Sequence, residues 1–288
     1  MTPPETYAVR PGGGPPDSPG WLVRAVPNKY PVLAPPDGTS APDGDLRDGL
    51  EHGRGDPELF VTGPATGAHE VIVHTPEHVA SLGDLDREQL GRAIDAWRAR
   101  LAAYPDAAYL HLIVNEGPAG GASLEHTHAQ LYGLPFVPAV VARERERFTA
   151  HNTRTMGGCL LCDLLQQEVK LRERVVAVGD DGVLLAPYAS RMPFELQLVP
   201  RRHGGSITGD DGDYAPLLLE GLGRLKKVLG GLPPLNMWLR SAPRGAEHFH
   251  WRVDILPRLT QLAGLELGVG VGVNIYAPER VAAELRDA

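Results

Sequence analysis

The sequence has few cysteines, and its basic side chains are fewer than its acidic ones. Its 288 residues include 2 Cys, and 28 Lys and Arg stand against 36 Asp and Glu, which gives a formal net charge of −8. Two cysteines are too few for a disulfide framework, and the negative charge argues against a protein that follows a nucleic-acid backbone or an anionic membrane. No apolar run is long enough to span a bilayer, and the first residues lack the basic and apolar regions of a signal peptide. We therefore expect a cytoplasmic protein without nucleic-acid or membrane partners.

A glycine-rich loop runs directly into an alternating polar segment within residues 115–130. If residues 124–132 form a strand, successive side chains point to opposite faces of the sheet. One face then carries two imidazoles and an amide in a row: His126, His128 and Gln130. The simplest alternative is a solvated strand edge, or a pair of histidines that satisfy each other's hydrogen bonds.

Three glycines precede this row, Gly117, Gly120 and Gly121. Glycine allows the backbone to approach a ligand closely and to aim N–H groups at an anion. A turn alone would not need so many glycines. The loop therefore favours a site in which the backbone holds a phosphate and a histidine attacks it.

The order of parts in the first half of the chain returns in the second half. Residues 194–203 resemble residues 69–78 at a constant offset of 125 positions, which places His203 on His78. A further histidine follows each of these, His126 after 48 positions and His250 after 47. One matching strand could arise by chance, but a strand and two histidines in the same order indicate an internal duplication.

Each of the repeated strands is followed by apolar residues at helical spacing. These periodicities predict one helix over residues 87–104 and another over residues 213–229, each followed by an apolar strand. The duplication predicts two halves, at residues 1–142 and 143–288. Residues 34–57 are rich in Gly, Pro and Asp and are predicted to form a long exposed loop.

The two copies differ at the row of polar side chains. Where the first copy has His128 and Gln130, the second has Arg252 and Asp254. Only the first copy therefore offers a nucleophilic imidazole. Arg252 has two interpretations at this stage, a charge role in the site or an exposed structural arginine.

Four segments together resemble the galactose-1-phosphate uridylyltransferase family, the duplicated branch of the histidine-triad superfamily, with similarity to its ADP-glucose phosphorylase relatives. These segments are residues 26–32, 67–73, 120–130 and 264–274. The resemblance covers most of the chain from about residue 21 onward. It implies an α+β fold of two histidine-triad-like repeats, each an antiparallel sheet with a packed helix.

The resemblance also implies roles for individual residues. His128 would be the nucleophile, with His126 beside it and Gln130 as the amide that holds the phosphoryl oxygens. A glutamine at this third place resembles the transferases, whereas the hydrolytic branch carries a third histidine. The residues that the resemblance places at the nucleotide are Asn28, Asn115, Gly121, Ala122 and Ser123.

A metal site follows from the same resemblance. Cys159 and Cys162 open the second copy as a cysteine pair opens a single histidine-triad domain. With His203 and His250 they would form a closed tetrahedral set suited to a structural zinc, with His248 as the substitute ligand. The alternative is a redox-inert cysteine pair and two unrelated histidines.

Two positions depart from the family pattern. His78 and His126 resemble half of a first metal site, but no cysteine pair precedes them, so we expect either that this site is lost or that the chain begins upstream of Met1. Gly272 stands at or near the place where the uridylyltransferases carry a sugar-contacting acidic residue. Recognition of a hexose through this position is therefore not expected.

Three functions remain open at this stage. The first is an enzyme, a uridylyltransferase-like nucleotidyltransferase that moves a nucleoside monophosphate between sugar 1-phosphates through a nucleotidyl-histidine. The second is a phosphorylase that passes the nucleotide from an ADP-sugar or a dinucleoside polyphosphate to inorganic phosphate. The third is a nucleotide-binding protein without turnover. The expected partners are a nucleotide sugar, a sugar 1-phosphate or phosphate, and a second copy of the chain in a homodimer.

Overall fold

The protein forms one antiparallel sheet with helices on both faces. The computed structural model describes residues 3–35, 59 and 65–288, so nearly all of the loop predicted at residues 34–57 lies outside the described residues. The strands are β1 Tyr7–Val9, β2 Val23–Pro27, β3 Ala68–Val73, β4 Tyr109–Glu116, β5 His128–Leu134, β6 Val175–Val178, β7 Gly182–Leu185, β8 Leu196–Pro200, β9 Leu235–Arg240 and β10 Arg252–Pro257. The helices are α1 Arg87–Ala102, α2 Ala139–Thr155, α3 Leu160–Leu171, α4 Ala215–Val228, α5 Gly264–Val269 and α6 Pro278–Arg286. Within the described ranges, none of these helices is both long and apolar enough to cross a membrane.

The order of the strands confirms the predicted α+β fold of two similar repeats. The strands lie in the order β1-β2-β3-β5-β4-β9-β10-β8-β7-β6. Counted outward from the central pair, the first set runs β4, β5, β3, β2, β1 and the second runs β9, β10, β8, β7, β6. Because corresponding strands occupy corresponding places, the sheets of the two halves extend one another through the β4–β9 pairing. The division between residues 142 and 143 stays a prediction, and that point lies inside α2.

The two helices predicted from periodicity pack side by side on one face of the sheet. α1 begins after Asp86, whose side chain accepts a hydrogen bond from the N–H of Gln89 at 2.7 Å and so caps the helix. Its apolar stripe includes Leu90, Ile94 and Trp97, all buried in the same core as the inward side chains of α4. The burial of these side chains explains the helical spacing of apolar residues from which the helix was predicted.

The opposite face is covered by different elements in the two halves. In the second half, Val183 and Val199 point away from the main core and form a smaller cluster with Phe148 of α2 and Leu161 of α3. In the first half, none of the described helices covers this face. The alternating side chains of β5 that point to it are therefore left facing a potential ligand.

The strand β5 is shorter at its start than the sequence predicted. Its neighbour β3 ends at Val73, which lies opposite His128, and beyond this pair the N–H of His74 makes a long hydrogen bond of 3.4 Å to the carbonyl of Thr127. Thr127 donates its own N–H to the carbonyl of Val79 at 2.7 Å. The prediction that His126 belongs to the strand was therefore wrong.

Arg252 and Asp254 form a buried ion cluster, which excludes the exposed arginine considered above. The Nε–H of Arg252 donates to Asp254 at 3.0 Å, and its Nη1 donates to Glu144 of α2. Asp254 is fully buried and also accepts from the amide of Gln197 at 2.8 Å. Burial alone would raise the pKa of Asp254, but Arg252, Arg191 and further polar neighbours outweigh it and hold the pKa below its ordinary value.

A buried histidine, His74, lies beneath the row of polar side chains. The indole N–H of Trp97 donates to Nε2 of His74 at 3.1 Å, so the proton of the neutral ring is on Nδ1, which donates to the hydroxyl of Thr127 at 3.0 Å. Burial, with a smaller effect from the nearby imidazoles, lowers the pKa of His74 to about 3. The ring is therefore a neutral part of the core.

We expect His74→Phe to weaken the dependence of stability on pH. The pKa of His74 is about 3 in the folded protein, against an ordinary value of 6.5, so the unfolded chain takes up this proton first as the pH falls. Stability is therefore greatest above about pH 6.5 and falls toward pH 3, with a slope of up to about 1.4 kcal/mol per pH unit from this group. Urea unfolding at several pH values between 7 and 4 tests this, and equal slopes in the two proteins would contradict it.

We expect Arg252→Met to lower the free energy of unfolding by up to about 3–5 kcal/mol, because it removes the cation that is hydrogen-bonded to the fully buried Asp254 and to the partly buried Glu144. The matched control is Arg280→Met, which removes an exposed ion pair with Glu284 on α6 and should change stability by less than about 1 kcal/mol. Equilibrium denaturation measures both variants. Equal small effects would show that the cluster does not depend on Arg252.

Candidate active site

The predicted nucleophile His128 is the first residue of β5, on the face that the helices leave open. Gln130 lies two residues further along the same face, while Ala129 and Leu131 point to the core. On the neighbouring strand β4, Ile113 lies opposite Gln130. Asn115 therefore shares this face, and the structure brings these three predicted site residues together.

A single hydrogen bond sets the tautomer of His128. Its Nδ1 lies 2.7 Å from the backbone carbonyl oxygen of His126, and a carbonyl only accepts. Nδ1 therefore carries the proton, and the lone pair of the neutral ring is on Nε2. No described residue forms a hydrogen bond with Nε2, so the lone pair remains available for an electrophile.

His126 turns away from the row that the sequence predicted. Its Nε2 donates to the carbonyl oxygen of Thr75 at 2.8 Å, and its ring lies 5.7 Å from that of His78. His126 contributes its backbone carbonyl to His128 and its ring to the packing beside β3. In the described residues no cysteine accompanies these two histidines, since the cysteines of the chain lie in the second half.

The amide of Gln130 is held at its oxygen end. The hydroxyl of Tyr132 donates to Oε1 at 2.8 Å, and Nε2 of His69 lies 3.0 Å from the same oxygen. The rings of His69 and Tyr132 stack with centroids 4.3 Å apart. The predicted site residue Asn28 joins this group, because its Nδ2 lies 3.0 Å from Nε2 of His69.

The glycine loop differs from the anion-binding loop that the sequence suggested. The N–H groups of Gly120, Gly121 and Ala122 all donate to carbonyls of the loop itself, at 3.0–3.1 Å. These amides are engaged because the segment closes into a short 3₁₀ turn. Within the described chain, the N–H of Ser123, at the end of the predicted nucleotide-binding segment, has no such partner.

The second half holds this loop in place. Asn236 of β9 lies opposite Asn115 in the β4–β9 pairing and donates through Nδ2 to Asn115 at 2.8 Å and to the carbonyl of Gly120 at 2.6 Å. A Cβ atom at Gly120 would lie 2.7 Å from the carbonyl oxygen of Leu235, so only glycine fits there. The loop is therefore packed directly on the second half.

A cavity of 400 Å³ opens beside Asn115 and extends to the C-terminal segment. Trp238, Arg258 and Gly272 are among the residues that line it. A Cβ atom at Gly272 would lie 2.8 Å from the Cα of Arg191, so a larger side chain would have to displace that backbone. This close approach gives a physical reason for a glycine where the resemblance led us to look for an acidic residue.

The four predicted metal ligands lie together at the start of α3. One donor atom from each of Cys159, Cys162, His203 and His250 lies within 4.8 Å of all the others. Nδ1 of His250 lies 3.7 and 3.3 Å from the two sulfurs, and Nδ1 of His203 lies 3.6 Å from that of Cys162. A tetrahedral zinc with ordinary bond lengths separates sulfur from nitrogen by about 3.5 Å, so the donor set fits this ion.

The protonation of the thiols also fits a cation site. Burial, together with the adjacent Cys159, raises the pKa of Cys162 to about 12. Two thiolates at this separation therefore require a positive charge between them, which a divalent metal supplies. His248, the substitute ligand considered from the sequence, is not a member of this group.

Three residues of the site were not recognised in the sequence: His69, Tyr132 and Asn236. The first two approach Gln130 only because β3 pairs with β5, and that register is not visible in either strand alone. Asn236 meets Asn115 because β4 pairs with β9, and the offset of 125 positions did not indicate it, since that offset places Asn115 over Arg240.

The chain was compared with known proteins. Residues 28–138 match the family model described as galactose-1-phosphate uridyl transferase, N-terminal domain. ADP-glucose phosphorylase of Arabidopsis thaliana is 28% identical over an alignment of 298 residues, which covers 99% of this chain and 78% of that protein. Galactose-1-phosphate uridylyltransferase of Thermotoga maritima is 26% identical over 242 residues, covering 77% of this chain and 74% of that protein. The crystal structure of the Arabidopsis thaliana ADP-glucose phosphorylase with bound ADP-glucose matches with a TM-score of 0.81 and 27% identity, covering 100% of this chain and 87% of that one.

These relatives are named enzymes of nucleotidyl and phosphate transfer, which confirms the predicted enzyme class. The structural match extends over both halves of the sheet, so it supports the fold as a whole. The resemblance predicted from the motifs is confirmed: residues 28–138 match the family model, and nearly the whole chain is similar to an ADP-glucose phosphorylase.

Proposed function

We propose that this protein is a nucleotidyltransferase that works by double displacement through a nucleotidyl-histidine on His128. The observation that carries the proposal is the fixed tautomer of His128, whose Nδ1–H is bound to a carbonyl while Nε2 faces the open side of the sheet. A histidine held in this way is a preorganised nucleophile. The neighbouring Gln130 supplies the amide that a phosphoryl group requires.

In the first displacement, Nε2 of His128 attacks the α-phosphorus of a nucleoside diphosphate sugar. A phosphorus–nitrogen bond forms, the bond from the α-phosphorus to the bridging oxygen breaks, and sugar 1-phosphate leaves with the electron pair. The ring becomes positively charged as this bond forms. The carbonyl of His126 stabilises that charge through the Nδ1–H hydrogen bond, at 2.7 Å in the resting enzyme.

In the second displacement, an oxygen of an acceptor phosphate attacks the same phosphorus. The phosphorus–nitrogen bond breaks, and its electron pair returns to Nε2 of His128. The N–H groups of Gln130 donate to the non-bridging phosphoryl oxygens in both steps, and Asn28, Asn115 and Ser123 hold the nucleotide. One difficult substitution is thereby divided into two similar and easier ones.

The acceptor separates two candidate functions. A sugar 1-phosphate acceptor defines a uridylyltransferase-like enzyme, whereas inorganic phosphate defines a phosphorylase. The similarity to ADP-glucose phosphorylase over 99% of the chain favours testing ADP-glucose beside UDP-glucose. A protein that binds these nucleotides but never acquires a covalent label would instead match the third candidate, a nucleotide-binding protein without turnover.

The proposal includes a structural zinc held by Cys159, Cys162, His203 and His250. Closed sites of two thiolates and two imidazoles leave no position for substrate, so the ion would contribute to folding and take no part in the displacement. Its place supports this role, because His250 precedes the ion cluster of β10 and Cys159 directly precedes α3, so the ion would tie the two elements together. The homodimer expected from the resemblance stays a prediction.

We expect His128→Ala to abolish covalent labelling while nucleotide binding persists. Incubation with ADP-glucose or UDP-glucose labelled in the nucleotide should leave label on the wild-type protein as a phosphoramidate, which is labile in acid and stable in base. Removal of the nucleophile should lower turnover by about 10⁴-fold or more. Undiminished labelling of His128→Ala would reject the mechanism.

The control for this experiment is His126→Ala. This variant keeps the backbone carbonyl that fixes the tautomer of His128 but loses the ring that packs beside His78. Its labelling should become slower and yet remain detectable. Complete loss of label in both variants would mean that the ring of His126 also takes part in the chemistry.

We expect one zinc per chain in protein purified without chelator, and loss of this zinc in Cys159→Ser. Metal binding contributes folding free energy, and a ligand present at 100 times its dissociation constant stabilises by about 2.7 kcal/mol. Elemental analysis and thermal unfolding measure both effects. His248→Ala is the matched control and should retain the metal, whereas wild-type protein without metal would refute the site.

A further inference from the structure

We infer that His69 is a positioning residue that fixes the amide of Gln130 with its oxygen turned inward and both of its N–H groups toward the phosphoryl site. The inference rests on the proposed nucleotidyl transfer and names a part of that site which the motifs did not indicate. It follows from the hydrogen bonds that surround a single imidazole. A side-chain amide presents either its oxygen or its nitrogen to a ligand, and only the nitrogen end stabilises phosphoryl oxygens.

The backbone sets the tautomer of His69. The N–H of Val32 donates to Nδ1 of the ring at 3.2 Å, and a backbone N–H has no acceptor form and cannot be turned around by a side-chain rotation. Nδ1 therefore carries the lone pair, and the proton of the neutral ring is on Nε2. Burial lowers the pKa of His69, which keeps the ring neutral and preserves this arrangement.

The proton on Nε2 then determines the orientation of Gln130. Nε2–H of His69 donates to Oε1 of Gln130 at 3.0 Å, and the hydroxyl of Tyr132 donates to the same atom at 2.8 Å. Both acceptor positions of the amide oxygen are thus occupied. A flipped amide would place its N–H groups against the N–H of His69, at the expense of two hydrogen bonds.

The nitrogen end of Gln130 is left for a ligand. In the described part of the chain, no protein group accepts from Nε2 of Gln130, and the side chain is only partly buried. It points along the same sheet face as His128, two residues earlier on β5. The two N–H groups therefore lie on the side from which Nε2 of His128 meets an electrophile.

The amide of Asn28, beside the same ring, also turns its N–H groups toward a ligand. Oδ1 of Asn28 accepts from the N–H of Tyr30 at 2.9 Å, so the amide nitrogen must face His69, at 3.0 Å from Nε2. In the tautomer set by Val32 both of these nitrogens are donors, and neither satisfies the other. An oxygen of the bound nucleotide is the group that would accept from Asn28 at this place.

The test is a double-mutant cycle on the rate of covalent labelling. His69→Phe keeps an aromatic ring to stack on Tyr132 and removes the N–H that holds Gln130. At saturating labelled nucleotide sugar, we expect the single-turnover rate of labelling to fall about ten- to a hundredfold, as for other residues that orient an active-site group. The dissociation constant of the nucleotide should change much less than this rate.

The effect must disappear when Gln130 is absent. In a Gln130→Ala background, His69→Phe should change the labelling rate less than twofold, because no amide remains to be oriented. A merely structural role would slow both backgrounds equally, and this outcome would overturn the inference. His69→Asn, too short to reach Gln130, should reproduce the loss, and it serves as the test if His69→Phe does not fold.

His111→Phe provides the matched control. His111 is partly buried on this face, on β4 opposite Tyr132, and its ring stacks on Tyr109 without a hydrogen bond to Gln130. Its labelling rate should equal that of the wild type. If wild-type protein acquires no label from any nucleotide sugar, the proposed function fails, whereas normal labelling of His69→Phe overturns only the role of His69.

Discussion

The pairing of β4 with β9 is the contact on which the rest of the structure depends. These central strands come from different halves of the chain, and their register places Asn115 opposite Asn236. Without this pairing, β4 and β9 would each be an unpaired edge strand of a five-stranded sheet. The same register lets Asn236 bind Asn115 and the carbonyl of Gly120, so the second half supports the loop of the first. The β4–β9 pairing therefore both joins the two halves and holds the glycine loop of the site in place.

The duplicated strands have diverged in how they satisfy their polar side chains. In the second copy, Arg252 and Asp254 lie under α2, and Glu144 of that helix completes the ion cluster. Buried charges require such partners, because an unpaired ion inside a protein is strongly unfavourable. In the first copy, an imidazole and an amide occupy these places, and neither requires a buried partner of opposite charge. They remain stable while facing a ligand.

The sequence contained enough to predict the duplication, the two helices and the position of the nucleophile. Apolar spacing identifies the buried face of α1, and the offset between His78 and His203 identifies the repeat, because both are properties of contiguous segments. The displacement of His126 from the strand was not predictable in this way. It depends on where the partner strand β3 ends, and that end is fixed by tertiary contacts.

The glycine loop is a second feature whose hydrogen bonds could not be predicted from the sequence. Gly117 and Gly121 do adopt positive φ angles of 70° and 82°, as a glycine-rich turn requires. Their presence nevertheless does not reveal where the N–H groups point, and those of Gly120, Gly121 and Ala122 bind carbonyls within the turn. Composition predicts that a backbone is free to bend. The acceptor of each N–H is decided by the packing of the loop on β9.

Three histidines on and below the open face are each held in one tautomer by a group that has no alternative role. A carbonyl that only accepts fixes His128, the indole of Trp97 that only donates fixes His74, and a backbone N–H fixes His69. Because each ring is oriented before a substrate arrives, little reorganisation is required as charge develops on phosphorus and on the imidazole. Such preorganisation depends on fixed partners, which are the carbonyl of His126 just before β5, the N–H of Val32 after β2 and the indole of Trp97 on α1. The substrate-facing atoms Nε2 of His128 and the amide nitrogen of Gln130 are thus set by hydrogen bonds on their far sides.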